Sequence, residues 1–148
     1  MALVTDDVVA ALRALLVGDG DDFQRRNAAI GRSEAGNRAY RALLLASFIA
    51  AVERNFTAQS SRDSIAAYVA DVRSRSPEAA GNIDPDAGER LIRMVFDDDL
   101  DLSDIDGNTR VHIELAILVA LISDEGLDDK TLDDFLAGAR DLANKILA

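Results

Sequence analysis

Cysteine is absent from this 148-residue chain, so disulfides, thiol nucleophiles, thiolate zinc sites and iron–sulfur clusters are excluded at once. Histidine occurs once, at His112, which leaves no second imidazole for a nitrogen-ligated metal. Its nearest charged neighbours, Arg110 and Glu114, are two residues away on either side. On a helix that spacing puts them on other faces, so neither can pair with the ring; His112 reads as a surface residue near a helix start. Long apolar runs are also missing. The longest, Ala42 to Val52, has eleven residues with Ser47 as its polar member, whereas a membrane span needs about 20. The opening MALVTDDVVAAL places Asp6 and Asp7 where a secretory signal would need Lys or Arg, which predicts a cytoplasmic protein. There is no Walker loop, dinucleotide fingerprint, nucleophile elbow or zinc-protease helix motif, and no catalytic residue or cofactor is expected.

Positive charge is scarce. Lys and Arg total 16 against 27 Asp and Glu, a net charge of −11. Non-specific nucleic-acid affinity comes mainly from neutralising phosphates with basic side chains, so nucleic acid is not an expected partner. A basic protein is the better electrostatic fit. With 49% hydrophobic residues the chain is too apolar for intrinsic disorder.

Period-two alternation is the last absence: no segment sustains it long enough to argue a strand, and what the chain has instead is helical spacing. The centre is residues 34–56, opened by Ser33 as N-cap and apolar on nearly every side from Ala42 to Val52. A helix of that kind has to be surrounded. Around it the sequence places a first helix capped by Thr5, with Val4 and Val9 as a staple and Val8, Val9, Leu12, Leu15 and Leu16 as its stripe, ended by Gly18. A short helix over 21–30 follows, with Asp21–Arg25 and Asp22–Arg26 at i,i+4. Ile65, Tyr68, Val69 and Val72 mark a helix stopped by Arg75-Ser76-Pro77; Glu78 to Ile83 is expected to be a loop. Asp84-Pro85 starts the next helix, with Leu91, Ile92, Val95 and Phe96 inward. Asn108 or Thr109 is expected to cap the helix containing the apolar run Leu115 to Ile122, which Gly126 ends. Asp128 caps a terminal helix whose face is Leu132, Phe135, Leu136, Ala139, Ala143, Ile146 and Leu147. The prediction is therefore all-α: residues 1–148 as a single compact domain of about seven helices packed around the long central one. LVALISDEGLDDKTLDDF, residues 118–135, resembles the helix, acidic loop, helix unit of TerB-type tellurite-resistance domains. It stands once in the chain, and no family is assigned on it.

The acidic stretch 97–106 is the first candidate for chemistry, since an Asp-rich loop with a glycine between two helices has the outline of an EF-hand. The register fails. With Gly107 at the sixth loop position, positions one and twelve fall on Leu102 and Ile113; starting at Asp104 puts Thr109 and Leu115 where glycine and the bidentate glutamate belong. Asp104, Asp106 and Asn108 remain as candidates for a looser cation site. Asp97, Asp98 and Asp99 fall where a helix should end, against its macrodipole, so either that helix stops early or a basic partner compensates. With Asp101 and the off-stripe Leu142 they form the candidate interaction surface. Asn37, Arg38, Tyr40 and Arg41 at the entry of the central helix, and Ser47 within it, could line a ligand cavity. Ala10, Ala11, Val17 and Leu142 fall outside the main stripes, which predicts exposed apolar surface and a homodimer. The functional expectation is a non-enzymatic protein-interaction or regulatory module, with a helical small-ligand-binding protein as the alternative.

Overall fold

Short side-chain oxygens set where every helix begins. The structure, a computed structural model describing residues 3–148, contains among those residues eight α-helices and no strand: α1 (Asp6–Leu16), α2 (Gly20–Ile30), α3 (Glu34–Asn55), α4 (Arg62–Ser74), α5 (Pro77–Asn82), α6 (Pro85–Arg93), α7 (Gly107–Glu125) and α8 (Asp129–Leu147). In each, a Ser, Thr or Asp oxygen accepts the backbone N–H three residues on. Thr5 accepts from Val8, Asp19 from Asp22, Ser33 from Gly36 and Ser61 from Ser64; Ser76 accepts from Ala79, Asp84 from Ala87, Asp106 from Thr109 and Asp128 from Thr131. Such caps satisfy an orphan donor and are worth about 1 kcal/mol each. Gly18 (φ 81°) and Gly126 (φ 61°) take the left-handed conformation that ends α1 and α7.

The all-α class is as expected, and the eighth helix is the segment expected to be a loop. Ser76 caps it and Pro77 occupies its first turn, where a missing N–H costs nothing. Arg73 then donates to the carbonyls of Ile83 and Ala80 at 2.8 and 3.3 Å, tying this short helix back to α4. Asp106, rather than Asn108 or Thr109, caps α7. The buried face of α1 is also rotated from the expected stripe: Ala11 is fully buried with Val8, Leu12 and Ala14, while Val9, Leu15 and Leu16 are half-buried. The small side chains are the ones that admit a close neighbour, and α1 packs against α2 and α8.

By its internal contacts the chain divides into two units, and the division falls within α3 and within α7. The first unit runs to Ser47 and resumes with Ile122–Ala148. In it the segment before α1 is clamped by α8. Val4 is 1% exposed; its N–H donates to Asn144 Oδ1 and its carbonyl accepts from Arg140 Nε, both at 2.9 Å. Arg140 also pairs with Asp6, and Arg13 of α1 with Asp133 and Asp129 of α8. The second unit is Phe48–Leu121. There α4 packs on α5 and α6, closely enough that a Cβ at Gly88 would lie 3.0 Å from Val69 Cγ1 and 3.1 Å from Ile83 Cγ2. From the two apolar runs singled out in the sequence, Leu44 in the first unit and Phe48, Leu118 and Leu121 in the second are each no more than 1% exposed.

The turn from α2 into α3 leaves no room for a side chain at Gly36. A Cβ at Gly36 would stand 2.4 Å from the Ile30 carbonyl oxygen and 2.9 Å from Ser33 Oγ. The first obstacle is backbone and cannot swing away, so Gly36→Ala is expected to destabilise by about 1–3 kcal/mol despite alanine's better helix propensity. A urea titration showing equal or greater stability for the alanine variant would contradict that turn geometry.

Candidate functional site

Small residues on one side of α3 leave space beside it. Ala35, Gly36 and Ala39 face a cleft of about 590 Å³ that Thr5, Asp7 and Val8 bound from the α1 side and Arg25, Arg26, Ala29 and Ile30 from α2. Leu3, at the end of the clamped segment before α1, completes the wall together with Ser33. The floor is apolar: Val8, Ile30 and Ala39 are buried. The rim is charged. Arg26 pairs with Asp22 at 2.9 Å and Arg25 pairs with the same carboxylate; the Arg26 guanidinium holds Asp22 below the usual carboxylate range despite some desolvation. Asp7 adds a second negative charge close enough to support the charged form of Arg26. Thr5 and Ser33 commit their oxygens to helix caps, which leaves their hydroxyl hydrogens as donors at the mouth.

No family model, curated protein or solved structure matches this chain. Function is therefore read from geometry alone. The polar entry of α3 does not build the cleft: its walls come from Ala35, Gly36 and Ala39, not from Asn37, Arg38, Tyr40 or Arg41. Tyr40 packs its ring 6.4 Å from Phe23, and burial pushes its hydroxyl up to about 12. Tyr40 Oη and Ser47 Oγ are, among the described residues, the buried side-chain oxygens with no protein partner.

The acidic loop resolves into turns and one ion-pair cluster. Arg90 grips both oxygens of Asp104 at 2.7 and 3.0 Å, donates to the Asp101 carbonyl at 3.2 Å and reaches back to Asp86 at 2.9 Å. That guanidinium lowers the pKa of Asp104. Asp106 is spent on the Thr109 N–H and hydroxyl, Asp101 on the Ser103 N–H and Asp97 on the Asp99 N–H, while Asn108 and His112 are exposed. Asp104 and Asp106 thus have separate duties, and among the described residues no three His, Cys, Asp or Glu side chains are placed to hold a metal. The Asp97, Asp98 and Asp99 paradox is settled by geometry: α6 stops at Arg93, and tighter i→i+3 turns carry the chain through Val95 and Phe96, so the three carboxylates lie beyond the last helical turn. For the same reason Val95 and Phe96 are half-buried instead of following Leu91 and Ile92 inward. Leu142 is half-buried on α8. Among the described residues no helix is long and apolar enough to cross a membrane.

Sequence reading missed two buried carboxylates, Glu89 on α6 and Glu114 on α7. Glu114 on α7 is 5% exposed, and burial, only partly opposed by Arg110 one turn earlier, pushes its carboxyl up to about 7. A lone acidic residue in LAILVALI's approach, spaced as an inward position with Ile117, Leu118 and Leu121, was the available signal.

Proposed function

We propose that the first unit is a small-ligand-binding module whose site is the α1–α2–α3 cleft, and that it takes an amphipathic molecule with its apolar body on Val8, Ile30 and Ala39 and its polar end at Arg25, Arg26 and Asp7. The cleft itself carries this reading. Its volume of about 590 Å³ is in the range of organic-ligand pockets, about 300–1,000 Å³, and an apolar floor with a few polar groups at one edge is their usual composition. The competing reading, an interaction module built on a flat apolar face, has less to stand on. The exposed large apolar side chains among the described residues are Leu3, Val17 and Ile146, and Leu3 belongs to the cleft.

The test uses anilinonaphthalene sulfonate, a probe with an apolar body and one anionic group. Saturable fluorescence enhancement is expected, and it should be lost in both Ala29→Trp and Ala35→Trp, which fill the cleft from exposed positions that the fold can tolerate. Enhancement that survives both substitutions rules the cleft out as the site. Sedimentation equilibrium on the same samples separates the alternative: a homodimer dispersed by the same two substitutions, with no probe uptake, would make the cleft a protein interface.

A further inference from the structure

The second unit holds a cleft of different chemistry. It measures about 310 Å³ and is bounded by Thr57 and Ser60 of the α3–α4 loop, Arg62 at the start of α4, Arg93 at the end of α6, and Phe96 and Asp97 in the turns that follow it. Two of these residues share a buried partner outside the lining, Glu89, 8% exposed. Arg62 Nε and Arg93 Nη1 both donate to the same oxygen, Glu89 Oε1. A guanidinium has five N–H donors in a fixed fork, and each of these two spends one on that oxygen. One buried carboxylate therefore holds two cations side by side, with a residual positive charge and unspent donors on the wall of the cleft. Thr57 Oγ1 accepts from Gln59 and Ser60 Oγ from Thr57, which orients both hydroxyls while leaving their hydrogens to donate. Asp97 is the opposing charge, but it is exposed, where water screens it, and its Oδ1 already accepts the Asp99 N–H.

We propose that this cleft is an oxyanion site for the phosphate group of a small phosphomonoester. Paired guanidinium forks and two hydroxyls reach the cleft from separate segments, which suits a tetrahedral dianion with three free oxygens; a planar carboxylate is served by a single fork. Preorganisation comes from Glu89, because the like-charged arginines are already held together before the anion arrives. The site is independent of the α1–α2–α3 cleft, so neither assignment depends on the other.

Inorganic phosphate titrated into the full chain at low ionic strength, followed by calorimetry, is the direct test. Saturable binding with Kd of about 1 mM is expected, which is informative because a chain of net charge −11 repels anions in general. Arg62→Gln should weaken binding at least about tenfold, and Arg62→Lys, which keeps a partner for Glu89 but loses the fork, about threefold. Arg62→Gln leaves buried Glu89 with only its 3.4 Å contact to Arg93 and is expected to melt lower than wild type, so it is titrated well below its melting temperature. Arg62→Lys, which keeps a cation beside Glu89, should melt close to wild type. Arg75→Gln, an identical charge change elsewhere in the same unit, should leave Kd unchanged. Absence of saturable binding, an equal loss in Arg75→Gln, or acetate binding as tightly as phosphate would each overturn the proposal.

Discussion

Truncating Phe48 to alanine is expected to lower the free energy of unfolding by about 3–5 kcal/mol. Phe48 is fully buried, and so are Leu44 and Val52, which stand one turn to either side of it on α3. The loss has two parts. Removing the ring forfeits its transfer free energy, and a hole remains unless neighbours collapse into it, which rigid helical backbone largely prevents. Against a total stability of about 5–15 kcal/mol for a domain of this size, a single substitution would consume a large share. Ile49, next along the helix, is half-buried, so Ile49→Ala should cost distinctly less. Reversible urea titration of both variants decides it: a shifted midpoint at unchanged slope is the expected pattern, and a Phe48→Ala loss below about 1 kcal/mol would mean that the apolar centre of α3 is not packed as described.

Much of the fold was legible because its signals are local. A cap is an oxygen and an N–H three residues apart, so Thr5, Ser33, Asp84 and Asp128 could be assigned from spacing, and each does what its spacing predicts. Gly18 and Gly126 were legible for the same reason. Asp106 was hidden among neighbours that could equally cap, since an Asp, an Asn and a Thr within four residues offer the same chemistry. The short helix α5 has a local start signal in Ser76-Pro77, but that pair equally ends α4, and the bonds from Arg73 to Ile83 and Ala80 that tie α5 down cross a turn, which no local periodicity records. The clefts were hidden more deeply. Their walls are small residues, Ala35, Gly36 and Ala39 in one and a Thr/Ser loop in the other, and small residues mark a site only when something large stands opposite. The aspartate loop carries the more conspicuous local pattern, yet its side chains are occupied with turns, a cap and Arg90.

The two clefts differ in what they can recognise, and the difference follows from which charges are buried. In the first unit, Arg25 and Arg26 are paired to half-buried Asp22 at the rim, and the floor is aliphatic, so binding there rests on apolar area. In the second, the carboxylate is buried beneath its arginines, so the cleft presents donors and rests on charge-assisted hydrogen bonds. Added salt should accordingly weaken phosphate binding in the second and leave probe binding in the first nearly unchanged, apart from its sulfonate contact.

Glu114→Gln is expected to stabilise the protein at pH 8 by as much as about 3 kcal/mol while changing little at pH 4. Burial raises the Glu114 carboxyl from an ordinary value of 4.5 to about 7 in the folded chain. Between those values the folded state holds a proton that the unfolded state has released, so stability falls as pH rises through this window and levels off above it. Below pH 4.5 both states are protonated and Glu114 is neutral in either; above about pH 7 the folded chain carries the full desolvation penalty of a buried carboxylate. At about 1.4 kcal/mol per pH unit the gap amounts to about 3 kcal/mol. Glutamine has nearly the same shape and no charge, so it removes the penalty without opening a cavity. The wild-type profile alone cannot reveal this, because Asp22, Asp104, Asp106 and Asp128 have lowered pKa values and act with the opposite sign, losing stability as pH falls through the acid range. Subtracting wild type from variant cancels those shared contributions and leaves Glu114. Urea midpoints measured at half-unit steps from pH 4 to pH 8 should give a difference that grows from near zero to a plateau; a difference that is constant across the range would show that the Glu114 carboxyl titrates alike in the folded and unfolded chains and is not raised by burial.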